Sequence, residues 1–245
     1  MRRVFVAPIA ILIILTFSNI VFTQSKSREE LQRELEAKRA ELASIEKQIL
    51  APSETDRAGF VEFLQQADTG LIRLMPRELY DSETYKQNKK TITMRGGGAY
   101  YSFSHHTHEY GYGSDIELDH NFLSVGFAGA DYGMLVKAGD IPLEEITVEH
   151  PGLRFLLEYT VPSAETPARK EARKFGEGTL VDGIRYQRRL PVEMNTTYLL
   201  RSINYGASDV LVALRVVRKD TDGSVIIAWK LLKKYSAPEL VQNNP

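Results

Sequence analysis

From Thr91 onward, apolar residues come only in short runs, and Gly or Pro interrupts them at close spacing. Such punctuation leaves little room for long helices and favours short strands joined by tight turns, the pattern of an antiparallel sandwich or barrel. Segments around 99–110, 114–119, 122–128, 132–137, 153–160, 179–189 and 197–205 are the expected strands. The clearest element is a C-terminal hairpin. Asp222-Gly223 suits a two-residue turn, whose central positions both need positive φ. Folding about it pairs Val216 with Trp229, Leu214 with Leu231 and Arg218 with Ile227, and gathers Val210, Val212, Leu214, Val216, Ile227, Trp229 and Leu231 on one face. The same register sets Arg215 against Lys230, a mildly unfavourable like-charge pair.

The first ninety residues obey a different rule. Met1-Arg2-Arg3 and the apolar run Val4–Phe22 have the form of an export signal. The run is also close to the roughly 20 residues of a membrane span, so residues 1–23 are expected to be either a signal peptide or a retained anchor. Ser27 and Glu30 form a capping box. Behind it Leu31, Leu35, Leu42, Ile45 and Ile49 recur on four- and three-residue steps, with Lys38 in the one off-pattern place. That is a coiled-coil seam over residues 27–50. It implies either a homo-oligomer joined through residues 31–49 or a helix folded back on its own domain. Ala51-Pro52 ends it. Ser53 to Asp56 then caps a second helix, expected over 53–67 with Phe60, Phe63, Leu64 and Ala67 inward, and Leu71–Leu74 follows as a strand. Ala164–Gly178 carries interleaved acids and bases and is expected to be a solvated loop or short exposed helix. The fold class is therefore α+β, with a helical stalk followed by a mostly antiparallel β domain over 51–245.

Composition narrows the function classes. The chain has no cysteine, which excludes a disulfide framework, a thiolate metal site and a cysteine nucleophile. Its 31 basic and 32 acidic residues leave a net charge of −1, so no overall field draws in nucleic acid. The expected location is outside the cytoplasm: periplasmic, secreted or anchored to the outer face of a membrane.

Any site is expected between Arg95 and Asp140, which holds four of the five histidines and the triplet Gly96-Gly97-Gly98. A phosphate-cradling loop needs a helix after its glycines, whereas Ala99–Phe103 favours a strand, so the triplet is expected to be a turn or bulge. On a strand His106 and His108 share one face, and with His120 they can hold zinc or another divalent metal and activate water. A metal-dependent hydrolase built on the His105–His108 cluster is one reading. Asp115, Glu117 and Asp119 alternate with Ile116 and Leu118 and are explained as one amphipathic strand. Tyr100, Tyr110 and Tyr112 offer apolar rings with polar tips, suited to a ligand groove. The leading reading needs no cofactor: a non-enzymatic binding module for a protein or envelope partner.

Overall fold

The computed structural model describes residues 26–81, 92–111 and 113–241; the expected signal, residues 1–23, lies outside them. Among the described residues no helix is long and apolar enough to cross a membrane. The chain contains helices and antiparallel sheets, and divides into two compact units, residues 1–40 and 41–245.

Helix α1 (Arg28–Ile49) begins at the expected capping box: the Ser27 amide donates to Glu30 Oε2 at 2.8 Å and the Glu30 amide to Ser27 Oγ at 3.2 Å. Its seam residues Leu31, Leu35, Leu42, Ile45 and Ile49 are all exposed, whereas Glu46 and Leu50 are buried. The end of α1 thus belongs to the second unit. The helix expected over 53–67 is broken in two, α2 (Glu54–Ala58) and α3 (Val61–Leu64), with Gly59 closing the first. Ser53 and Asp56 form the cap of α2.

A five-stranded antiparallel sheet dominates the second unit. Its order is β1 (Thr69–Leu74), β11 (Val225–Tyr235), β10 (Ser208–Lys219), β9 (Thr196–Asn204) and β5 (Tyr132–Gly139). A smaller antiparallel sheet holds β2 (Tyr100–Tyr101), β3 (Ile116–Asp119), β4 (Phe122–Ser124) and β8 (Arg189–Pro191). Neither closes on itself. A separate hairpin pairs β6 (Thr179–Val181) with β7 (Ile184–Tyr186), and a short helix, α4 (Arg77–Asp81), follows β1.

The β10–β11 hairpin forms as expected but two residues out of register. Leu214 pairs with Trp229, Val216 with Ile227 and Arg215 with Ala228. The turn is longer than two residues. The Asp220 amide donates to the Ser224 carbonyl at 2.8 Å, the Gly223 amide to the Asp220 carbonyl at 3.0 Å, and Gly223 takes φ +85°. This is a loop with one left-handed residue, and a bulge between Val216 and Arg218 adds to it. Because the slip is two residues, each side chain keeps its face. The expected Arg215–Lys230 clash is absent, since Lys230 sits against Ala213.

The predicted apolar face is buried except at Leu231, which is partly exposed. Val210, Val212, Leu214, Val216, Ile227 and Trp229 pack in one cluster with Tyr101, Phe103, Ile116, Leu118 and Leu123 of the small sheet and its flanking loop. At about 1.5–3 kcal/mol per large side chain buried, this interface is a principal source of stability. The opposite face, with Met134, Leu199, Ile203, Leu211 and Ala213, packs against α3, α5 (Pro151–Glu158) and α6 (Glu165–Glu177).

Two of these helices revise expectation. Segment 153–160 is α5, not a strand. Pro151 sits in its first turn, the His150 ring accepts from the Gly152 amide at 3.1 Å, and Leu153 and Leu156 bury one face at helical spacing. Segment 164–178 is the 13-residue α6, which seats Ala168 and Phe175 in the core. The expected strand over 99–110 is likewise only β2; beyond it the chain turns, and Ser102 bridges back to Thr107.

Candidate functional site

Residues 92–111 and 113–115 lead into β3 as a folded ridge, and two cavities border it. Glu46, buried near the end of α1, holds its start: its carboxylate accepts from the Thr93 amide, from the Thr93 hydroxyl at 2.7 Å and from the Met94 amide at 3.2 Å. Gly96, Gly97 and Gly98 then run at φ +85°, +59° and +81°. Three left-handed residues in a row are open only to glycine, and Leu50, Tyr80 and Tyr100 occupy the space their side chains would need. The triplet is a turn, and it delivers the chain into β2.

The ridge is built on tyrosines. Tyr100 is buried, and its hydroxyl bonds Glu117, which also accepts Arg77 Nη1 at 2.9 Å. Burial, with the Glu117 charge beside it, raises the Tyr100 phenol far above its ordinary range. Tyr110 lies over Tyr100 at 4.6 Å between ring centroids, and Phe127 meets Tyr100 edge-on at 5.2 Å. Of the three tyrosines expected to bind, Tyr110 is therefore at the surface and Tyr100 is its support. Tyr112 lies outside the described residues.

The histidines do not alternate along a strand. His105 Nδ1 lies 3.2 Å from Ser102 Oγ within the turn. His106 takes φ +52° and sets its exposed ring edge-on to Trp229 at 5.5 Å. His108 Nε2 donates to the Arg73 carbonyl at 2.8 Å, and burial pulls its pKa down to about 4. It is a neutral imidazole that ties the ridge to β1. His106 and His108 both line a cavity of about 380 Å³, together with Glu46, Leu71, Tyr101 and Glu109.

His120 is elsewhere, in the β3–β4 turn, where its Nδ1 lies 2.6 Å from Asp119 Oδ1 and its amide donates to Glu78 Oε2 at 3.1 Å. Among the described residues, only Glu78, Asp119 and His120 bring three metal-ligating atoms within 4.8 Å of one another. The sequence-derived trio His106, His108 and His120 is not one cluster. Asp119 is also engaged by Arg189 at 3.2 Å.

The other cavity, of about 290 Å³, lies where the ridge meets the end of β9. Arg95 and Tyr110 form one wall, Phe127 and Asp131 a second, Asn204 and Tyr205 a third. The Arg95 guanidinium packs on Gly111 and sits 5.9 Å from the Tyr110 ring centroid. Like Arg57, Arg185 and Arg188, it is in no ion pair among the described residues, and its side chain is exposed. Asp131 accepts the Tyr205 amide at 2.9 Å.

Beneath lies a buried polar network. Asn204 Nδ2 sits 3.0 Å from Asp115 Oδ1, 3.1 Å from Ser202 Oγ and 3.0 Å from Ser208 Oγ. Asp115 also accepts the Phe103 amide at 2.8 Å, and burial pushes its pKa up to about 6. Asp115 is thus a structural hub rather than a surface acid of an amphipathic strand. The sequence offered Arg95 as the edge of the crowded stretch, but gave no signal for Asn204 and Tyr205, which come from a strand nearly a hundred residues away. No family model, no curated protein and no solved structure matches this chain.

Proposed function

We propose that this chain is an exported cell-envelope binding module whose ligand seat is the Arg95–Tyr110 cavity. The observation that carries this reading is a guanidinium set 5.9 Å from a tyrosine ring centroid at a cavity whose lining also holds a carboxylate and an amide. Ligand sites combine apolar rings with a few fixed polar groups in this way. A rigid tyrosine contributes contact area at low entropic cost, and the arginine fork presents several donors in a fixed plane.

The arginine-rich start and apolar run of residues 1–22 support export, and α1 acts as the spacer or oligomerising stalk. Its exposed leucines and isoleucines keep heptad spacing, and parallel packing of two copies sets Glu34 of one against Arg39 of the other. A metal-dependent hydrolase finds less support, because His106 and His108 converge with no third ligand atom among the described residues.

The test is co-sedimentation of the full chain with isolated envelope sacculi, comparing the parent with Arg95→Ala and Tyr110→Ala. Each substitution is expected to weaken retention tenfold or more, about 1.4 kcal/mol or greater. Retention equal to the parent in both variants rejects this seat.

A further inference from the structure

Resting on that proposed binding role, we infer that the cavity takes a single carbohydrate ring. Beside Ser114, three of its polar side chains are planar forks of complementary kind: Arg95 offers only donors, while the Asp131 carboxylate and the Asn204 amide oxygen are acceptors. Vicinal hydroxyls, each donor and acceptor at once, match such forks in pairs. The Asn204 and Asp131 groups are not free to adapt. The amide is fixed through Nδ2 by Asp115, Ser202 and Ser208, and the carboxylate is fixed through Oδ1 by the Tyr205 amide. Neither Asn204 Oδ1 nor Asp131 Oδ2 has a donor among the described residues, so both present an acceptor that is already oriented.

Three aromatic residues join small ones in the remaining lining. Tyr110, Phe127 and Tyr205 supply apolar faces of the kind that pack on the C–H face of a sugar. Charge and size remove the main competitors. One cation faces one carboxylate, so a phosphate entering for Arg95 meets Asp131 as a like charge. An extended peptide adds to an open strand edge, whereas these walls are turns around Gly111 and Gly113 and the end of β9. At about 290 Å³ the cavity is at the small end of the range of ligand sites, roughly 300–1,000 Å³. One ring fits it; an oligosaccharide has to extend out of it.

Isothermal titration of the full chain with the methyl β-glycosides of glucose, galactose and N-acetylglucosamine tests this. At least one is expected to bind, and both Tyr110→Ala and Asp131→Asn are expected to reduce its affinity tenfold or more. The Asn variant keeps the acceptor for the Tyr205 amide, and unchanged thermal midpoints show that neither variant has lost the fold. Binding that survives both substitutions, or no binding by any of the three glycosides, overturns the sugar assignment. If the sacculus retention described above is still lost in Tyr110→Ala, the cavity remains a binding seat and only the ligand class falls. If that retention also survives, the binding role falls with it.

Discussion

Arg201 and Asp209 show what a single residue pair does for this fold. Both side chains are 3% exposed, joined by two hydrogen bonds of 3.0 and 2.9 Å. Arg201 Nη1 also donates to the Leu156 and Tyr159 carbonyls at the C-terminal end of α5, and the guanidinium lies 4.0 Å from the Tyr235 ring centroid. A cation complements a helix C-terminus, so one arginine locks α5 onto the sheet. Asp209→Ala strands that charge, and urea unfolding is expected to show a loss of about 3–5 kcal/mol. Two further residues oppose each other in their response to pH. Asp115 titrates near 6 when folded because burial disfavours its charge; its stabilisation is complete below the unfolded carboxyl value of about 3.9 and is lost as pH rises through 6. His108 titrates near 4 when folded; its stabilisation is complete above about 6.5 and is lost as pH falls through 4. Between pH 4 and 6 the two slopes cancel. His108→Gln is therefore expected to leave a protein whose unfolding free energy falls by about 2–3 kcal/mol from pH 4 to 6, and Asp115→Asn one whose stability rises over that window. Parallel slopes in the two variants would contradict these assignments. None of this was visible in sequence, where Asp115 fitted an amphipathic strand as well as it fits a buried hub.

At the scale of elements, the sequence was most informative where local periodicity and tertiary burial agree. The faces of β10 and β11 follow from the two-residue period of a strand folded about Asp222-Gly223, although Val210–Leu214 and Val225–Trp229 are apolar on both faces; their register did not, because the bulge at Val216/Arg218 and the longer turn leave no mark beyond that dipeptide. Helix α5 was misread as a strand because its apolar run Leu153-Arg154-Phe155-Leu156-Leu157 is short enough for either, and only packing of Leu153 and Leu156 decides. Strand β1 carries a constraint no periodicity reveals. A methyl group on Gly70 would lie 2.6 Å from the Trp229 indole. Gly70→Ala is expected to shift the ring and cost about 1–3 kcal/mol. Trp229 is the only tryptophan, so its fluorescence reports the shift directly; an unmoved spectrum with unchanged stability would show that the ring is not held there. In α1 the exposed seam makes its own prediction. Leu35→Asp/Leu42→Asp in the full chain is expected to reduce the sedimentation mass to that of a monomer, and a parent that is already monomeric would contradict a self-associating stalk.

For the whole molecule, the crowded stretch 95–140 was legible as a place but not as a shape. Gly96, Gly97, Gly98, Tyr100 and Tyr110 do belong to the ridge, yet the cavity beside it exists only because the end of β9 returns Asn204 and Tyr205 to that wall. The histidines, the louder sequence signal, separate into a tether, a rim residue and a turn residue once the chain is folded. The proposed binding seat therefore lies on the arginine–tyrosine side of the ridge. The most direct measurement is a side-by-side comparison of sacculus retention for Tyr110→Ala and for His106→Ala/His108→Ala in the full chain. Loss in the first with retention in the second is the predicted result. Loss confined to the histidine variant, with its fold intact by circular dichroism, would move the seat to the other cavity and contradict the account.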